Sequence, residues 1–390
     1  MQAPRRQRSI HRQLGFERQG VWGLALGLVA CSSSQPETAR SPARNARVEA
    51  VAASEPAPET GQPAPLSATR PPEPDRVAAD ASKPDLSGLS GPARADSEAF
   101  PGTRLRPPQL LRELRTAPML SFRPVGSTST VFRTVLKGVG FRAAFKASTY
   151  LRPFGAVAEV AAYRLSRCLG MINVPPAVLR RASVLSLQFG LEPGSPIDWV
   201  DIAPRLNADP NGQVEGAAIL WVDGLREVEV STPARRDQLL QVLSQSQPLP
   251  EPLPPLAAQL SELLAFDYLI GNWDRWSGSN VKGDAGGESL IIRDHDIAFA
   301  GLITESLQRR MLDLLLKDER FSRSFVQRLR ALSRASFERE LGQDTSLAMR
   351  PHRGFSSQAM DGLFDRRGAL LSHVQALIEE YGEDKVLVFP

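Results

Sequence analysis

The sequence predicts an α+β chain in two lobes, a small sheet-rich one followed by a mostly helical one. Three observations carry this. Between Phe122 and Ala147 short apolar runs alternate with Gly-containing loops, the mark of strands. A single helical pattern follows over 156–170, with apolar residues at 157, 160, 161, 165, 168 and 169 forming one face. From Leu256 onward apolar residues recur mostly at helical spacing, with leucine-rich stretches over 304–340 and 357–380.

Composition bounds the possibilities. A chain of 390 residues, 42% hydrophobic and 23% charged, has room for one large or two smaller globular domains. The net charge is only +4, and Arg5, Arg6, Arg8, Arg12 and Arg18 all fall in the first 18 residues. That clustering reads as a leader and not as a nucleic-acid surface, so no nucleic-acid partner is expected.

Residues 1–31 read as an export signal. The basic start is followed by Val21–Ala30, about ten apolar residues, half of what a bilayer span needs. The segment ends in Leu28-Val-Ala-Cys31, which resembles the bacterial lipobox. The resemblance implies that Cys31 is acylated and becomes the mature N-terminus, placing the protein in the bacterial cell envelope. Ser32 after it leans toward the outer membrane. A short apolar segment with a chance Cys is the alternative. Residues 32–104 are Ala-, Pro-, Ser- and Glu-rich without period, which predicts a disordered tether. Cys168 is then the sole remaining thiol, expected in helix packing.

The globular part spans 105–390, divided here into 105–245 and 246–390. Leu110–Leu114 opens it with a short helix. Phe122–Leu136 reads as strand, loop, strand, and its loop, Gly126-Ser127-Thr128-Ser129-Thr130, offers backbone and hydroxyl donors able to close on phosphates, or is an ordinary hairpin. Gly140–Ala147 is a strand that presents Lys146 near its end. The helix over 156–170 carries Glu159 in its first turns and ends at Gly170, a C-cap signal. Val178-Leu179 and Ser183–Gln188 read as further strands, 191–215 as an irregular insertion, and Gly216–Val222 as a buried strand. The Pro-rich stretch 245–256 reads as a hinge between lobes. A helix over 256–270 then delivers a polar loop.

That loop is the most informative stretch. Phe266-Asp-Tyr-Leu-Ile-Gly-Asn-Trp-Asp-Arg-Trp-Ser-Gly-Ser-Asn280 carries Asp274, Arg275 and Asn280, and Leu290–Ile292 leads to Asp294 and Asp296. An Asp and an Asn six residues apart, then an Asp at a strand end, meets the needs of phosphoryl transfer: one carboxylate orients a hydroxyl, while an amide and a second carboxylate hold divalent metal. Asn and Asp are also ordinary turn residues, which leaves a plain polar turn open. Trp273 and Trp276 could wall a groove or pack in the core, and Arg309, Arg310 and Lys317 could form a solvated face or meet an acidic substrate.

The pattern Asp-Tyr-Leu-Ile-Gly-Asn-x-Asp-Arg…Asn, then Asp-x-x-x-Ala-Phe, resembles the catalytic and metal loops of the atypical kinase-like superfamily, which includes Fam20-type and HipA-type kinases and phosphatidylinositol 3- and 4-kinase-like catalytic domains. The helix with Leu169-Gly170-x-x-x-Pro-Pro176 resembles the same group. The resemblance covers about residues 120–300 and is most specific at 266–299. It implies a protein-kinase-like fold and transfer of the ATP γ-phosphoryl to a hydroxyl acceptor, a protein, a sugar or a small molecule. It implies Asp274 with Arg275 as the catalytic pair, Lys146 and Glu159 with the 126–128 loop around the nucleotide, and Asn280 with Asp294 or Asp296 on Mg²⁺ or Mn²⁺. Gly216–Val222 would lead into the hinge beside adenine. The chain departs from the pattern at Trp276, where His or Gly is usual, and at Asp294-His295-Asp296, where Asp-Asn-Gly is usual. Two other classes stay open: an inactive pseudokinase or ligand-binding scaffold, which the scarcity of ATP outside the cytoplasm favours, and a lipoprotein with a structural Ca²⁺ site.

Overall fold

The structure is a computed structural model and describes residues 99–101, 103–126, 130–228, 232–254, 256–276, 280–300, 303–344 and 356–390. The expected signal segment with Cys31, residues 32–98 of the expected tether, and Ser127 and Thr128 of the loop lie outside the described residues. Phe100 falls within the stretch that composition assigns to the tether, yet it is buried in one core with Leu110 and Leu114. The packed domain therefore includes residues before 105: the Phe100 ring is buried, the Phe100 N–H donates to the Leu105 carbonyl, and the Thr103 N–H and hydroxyl donate to the Phe100 carbonyl.

Helix α1 (Pro107–Thr116) starts on a proline, whose fixed φ suits a first turn. Three antiparallel strands follow: β1 (Met119–Val125), β2 (Val131–Leu136) and β3 (Arg142–Ala147). Alternation decides their two faces. Phe132 and Phe145 are register partners on one face, where the Phe122 ring meets them edge-on at 5.8 and 6.4 Å. Val131, Arg133, Ala144 and Lys146 face the other way, into a cleft.

Helix α2 (Gly155–Cys168) is buried from Gly155 to Arg167, not on one face alone as its apolar spacing implied. The alanines at 156, 158, 161 and 162 allow this close approach on all sides. It ends as predicted: Gly170 has φ +73°, its N–H donates to Arg167 O and the Met171 N–H donates to Ser166 O. These are the two bonds of a left-handed glycine stop. Strand β4 (Ala177–Ser183) follows.

Ser183–Gln188 does not continue as a strand. It is a short helix, α3 (Val184–Phe189), because the Ser183 hydroxyl accepts from the Ser186 N–H and caps a turn that buries only Leu187. The irregular insertion contains a one-turn helix, α4 (Trp199–Ile202), before β5 (Gln213–Leu220). Strand β5 pairs with both β3 and β4, giving the order β1-β2-β3-β5-β4.

The chain leaves this sheet at Trp221–Leu225 and enters a second, small sheet of β6 (Arg226–Glu227), later joined by β7 (Lys282–Gly283) and β8 (Leu290–Ile291). The crossing thus precedes the Pro-rich stretch assigned to it from sequence. Between the two come α5 (Pro233–Leu240) and a 3₁₀ turn whose Leu243, like Leu240, is buried in the core of the helical half. Gln245 donates to the Glu319 and Lys385 carbonyls, and Arg320 donates to the Val242 carbonyl. These bonds tie the Pro-rich stretch to the helical half, so the boundary expected near residue 245 lies some twenty residues earlier.

Helix α6 (Ala257–Ile270) runs through the centre of that half, with Leu263, Leu264, Phe266 and Leu269 buried. Around it stand α7 (Glu305–Leu315), α8 (Arg323–Ala331), α9 (Arg334–Leu341), α10 (Ser357–Tyr381) and α11 (Glu383–Val386). Thr304, Ser322, Ser333 and Ser356 cap the first four of these by accepting from a backbone N–H three residues on. One core spans α2, α6 and the C-terminal helices and closes with Phe389. Among the described residues, no helix is long and apolar enough to cross a membrane.

Candidate active site

Lys146, Glu159 and Asp294 come from β3, α2 and the turn after β8, and they meet at one point. Lys146 Nζ is 2.7 Å from Glu159 Oε1 and 3.2 Å from Asp296 Oδ2, and it also bonds Asp294 Oδ1. Register puts Lys146 there: it stands opposite Val131 and Ala217, facing the cleft and the buried side of α2. Burial alone would favour the neutral amine, but the three carboxylates outweigh it and hold the Lys146 pKa above the ordinary lysine value. Burial likewise opposes the Glu159 carboxylate, and Lys146 with His295 outweighs it and holds that pKa low. Asp294 is lowered as well, burial being overcome chiefly by Lys146.

His295 bridges α2 and the turn. Its backbone N–H donates to Glu159 Oε1 at 2.9 Å, its Nδ1 is 3.1 Å from Glu159 Oε2, and its ring meets Phe266 edge-on. Asp294 adopts a left-handed backbone, φ +70°, which costs a non-glycine residue about 1–2 kcal/mol. The Lys146 bond to its side chain and the Asn272 amide on its carbonyl, at 3.3 Å, hold that turn.

Asp296 is engaged differently. Lys146 takes Oδ2 and the Arg152 guanidinium takes Oδ1 at 2.6 Å. Burial raises its pKa despite both cations, with Asp294 and Glu159 adding to the rise.

The polar loop after α6 begins at Gly271, φ +70°, where an added Cβ would sit 2.7 Å from Ile303 Cδ1. The turn sends the chain back beneath the cleft. Arg275 corrects an expectation: it is only 1% exposed and does not face the cleft. Its guanidinium grips Asp267 through two bonds of 2.9 and 3.2 Å and donates to the Asn280 and Arg293 carbonyls. It is a buried clamp joining α6, the loop and the turn before Asp294, because a desolvated guanidinium must fill its donors. Asp274 is half-buried in the loop, and its carbonyl accepts from the Asn280 amide at 3.1 Å. Trp276 packs in the core and Trp273 against it.

The cleft has a volume of about 670 Å³. Gly126, Val131 and Ala144 roof it, Asn280, Ile291 and Asp294 floor it, and Trp221–Leu225 closes its back. Asp223 there accepts from Arg142 and from the Trp221 indole at 3.0 Å. Its donor set at the mouth, carboxylate and amide oxygens, suits Mg²⁺ or Mn²⁺ in the company of phosphates. Among the described residues, no group of three or more His, Cys, Asp or Glu side chains is arranged to hold a metal alone.

Of the residues singled out from sequence, Lys146, Glu159, Asp294 and Asp296 are in direct contact, and Gly126 and Asn280 line the same cleft. Arg152, His295, Asp267 and Asn272 have no role assigned by the sequence reading. Asp267 carries a signal, the one charge within the apolar stretch Leu263–Ile270. Arg152 carried none, as it reaches Asp296 across 144 positions.

No protein-family model and no curated protein matches the chain. Solved structures do. A Golgi casein kinase is similar with a TM-score of 0.55 and 18% identity, covering 72% of this chain and 79% of that one. The Golgi casein kinase with Mn/ADP bound gives 0.57 and 18%, over 72% and 78%. A Fam20 protein of hydra, solved with sugar, gives 0.57 and 17%, over 76% and 97%. At such identities the likeness concerns the fold alone. The chain has a two-lobed, kinase-like α+β fold.

Proposed function

We propose that this protein is a phosphotransferase that moves the γ-phosphoryl group of ATP to a hydroxyl acceptor. The convergence of Lys146, Glu159 and Asp294 from three separate parts of the chain, at the mouth of a nucleotide-sized cleft, carries the reading. In it Lys146 positions the α- and β-phosphates and Glu159 holds Lys146. Asp274 orients the acceptor hydroxyl and takes up its proton. Asn280 and Asp294 hold Mg²⁺ or Mn²⁺, which when bound neutralises charge building on the phosphates. The Mn/ADP complex of the Golgi casein kinase supports nucleotide and Mn²⁺ as ligands. The acceptor is a protein, sugar or small-molecule hydroxyl. The reading includes acylation at Cys31 and a place in the bacterial cell envelope, outer membrane foremost.

The test is phosphate incorporation together with melting temperature, for wild type, Asp274→Asn and Asp294→Asn, with ATP and Mg²⁺ or Mn²⁺. Wild type should be stabilised by nucleotide plus metal and should turn over. Each variant should lose turnover by about 10³-fold or more, since catalysis here is positioning and electrostatics. Stabilisation without turnover points to a nucleotide-binding pseudokinase. A folded protein that no nucleotide stabilises overturns the reading. Radiolabelled palmitate on the wild type but not on Cys31→Ser tests the anchor.

A further inference from the structure

Two acids follow β8, and only one of them is open to the cleft. Asp294 gives one oxygen, Oδ1, to Lys146, but it has one third of its side chain exposed and lines the cleft beside Asn280. Asp296 is 8% exposed, and both its oxygens are taken by cations of the chain: Arg152 Nη1 at 2.6 Å on Oδ1 and Lys146 Nζ at 3.2 Å on Oδ2. Its remaining side is closed by the start of α2, where an added Cβ on Gly155 would sit 3.1 Å from Asp296 Cβ. The local charge is close to balance. Lys146 and Arg152 face Glu159, Asp294 and Asp296, leaving one negative charge in excess, and His295 stands against Glu159 from the far side.

We propose that Arg152 is a built-in counter-ion that fills the place of a second metal at Asp296, so that the cleft takes a single divalent cation, on Asp294 and Asn280. This rests on the phosphotransferase reading and sharpens it. A guanidinium 2.6 Å from Oδ1 occupies the direction from which a divalent ion would bind, and it repels such an ion at that range. Lys146 blocks the other oxygen. Arg152 is itself held by its segment: the Arg152 N–H donates to both the carbonyl and the hydroxyl of Thr149. Its side chain is one third exposed, so replacing it should leave the fold intact.

The test is a Mn²⁺ titration of the full-length protein, read by electron paramagnetic resonance, with and without saturating ADP. Wild type and Arg152→Lys should bind about one Mn²⁺ per chain, since both keep the cation. Arg152→Gln should bind about two, and Arg152→Gln with Asp296→Asn should return to about one. Two ions on wild type, or one on Arg152→Gln, would overturn the proposal, and so would a wild type that binds none. Melting temperature with ADP alone separates the failures. A protein that ADP stabilises but that takes no Mn²⁺, or takes two, keeps its nucleotide site and loses only the counter-ion role of Arg152. A protein that neither ADP nor Mn²⁺ affects loses both readings.

Discussion

Two buried carboxylates, Glu159 beneath the cleft and Asp318 in the helical half, show how one chemical group is kept in opposite states. Glu159 is 4% exposed but has Lys146 at 2.7 Å and the His295 N–H at 2.9 Å. Asp318 is fully buried, and among the described residues no cation pairs with it: its carboxyl accepts from the Ser261 hydroxyl, on Oδ2 at 3.0 Å, and from the Arg320 backbone N–H. The first pKa is held low and the second is raised well above the usual carboxylate range, by burial foremost. Depth alone therefore does not set the charge of a side chain in this protein. The partner does: Glu159 has a lysine against it, and Asp318 has neutral donors.

Lys146→Met should have the largest effect. It leaves Glu159, Asp294 and Asp296 without their shared cation, and breaking a buried pair from one side costs about 3–5 kcal/mol. Chemical denaturation at neutral pH reads this directly. A loss under about 1 kcal/mol would mean that the cluster is hydrated and that the contrast with Asp318 is not one of desolvation.

The pH dependences should run in opposite directions. Glu159 and Asp294, with folded pKa values below their unfolded ones, lend stability above the ordinary carboxylate range that is lost as pH falls below about 4. Asp318, with a raised folded pKa, lends stability present at low pH that is lost as pH climbs through that folded value. Asp318→Asn mimics the protonated acid. It should change stability by no more than about 1 kcal/mol at low pH and remove the decline on the alkaline side. An unchanged pH profile in Asp318→Asn would show that the acid is already ionised in the fold. His373, whose pKa burial lowers and whose Nε2–H donates to the Asp318 carbonyl at 3.0 Å, adds a separate loss as pH falls below about 6.5.

Arg309→Ala sets the lower end of the scale. Its pair with Glu305 is 2.7 Å long but both side chains are more than half exposed, so the change should be below about 0.5 kcal/mol. Arg309 belongs to the basic face noted in the sequence, and this ion pair makes that face largely a solvated one.

What the sequence made legible follows a physical pattern. Strand alternation placed Lys146, and the helical face with its Gly170 stop placed α2 and Glu159, because these are local effects of backbone periodicity. The Asp274–Asn280 spacing was readable because the two lie close in sequence, and the Asn280 amide does donate to the Asp274 carbonyl. The role of Arg275 was not, since an arginine beside a candidate catalytic Asp looks the same in sequence whether it faces the cleft or Asp267. Arg152 and His295 act through partners more than 130 residues away, and no spacing encodes that. The hinge was misplaced because proline marks any rigid connection, while the true crossing at Trp221–Leu225 is the unremarkable end of a buried strand. Ser183 shows the same limit at small scale: one hydroxyl turned an apolar run from strand to helix.

The burial of α2 on every side has a consequence for control. Arg164 and Arg167 reach Glu340 on α9, each at 3.2 Å, while Glu159 is held from the front by Lys146 and His295. Swinging this helix outward would bring Val160 and Leu165 into water and strand two arginines at once. A helix wedged in this way is a keystone and not a lever. For the proposed phosphotransferase, control then falls on the arrival of nucleotide and acceptor and not on movement of α2.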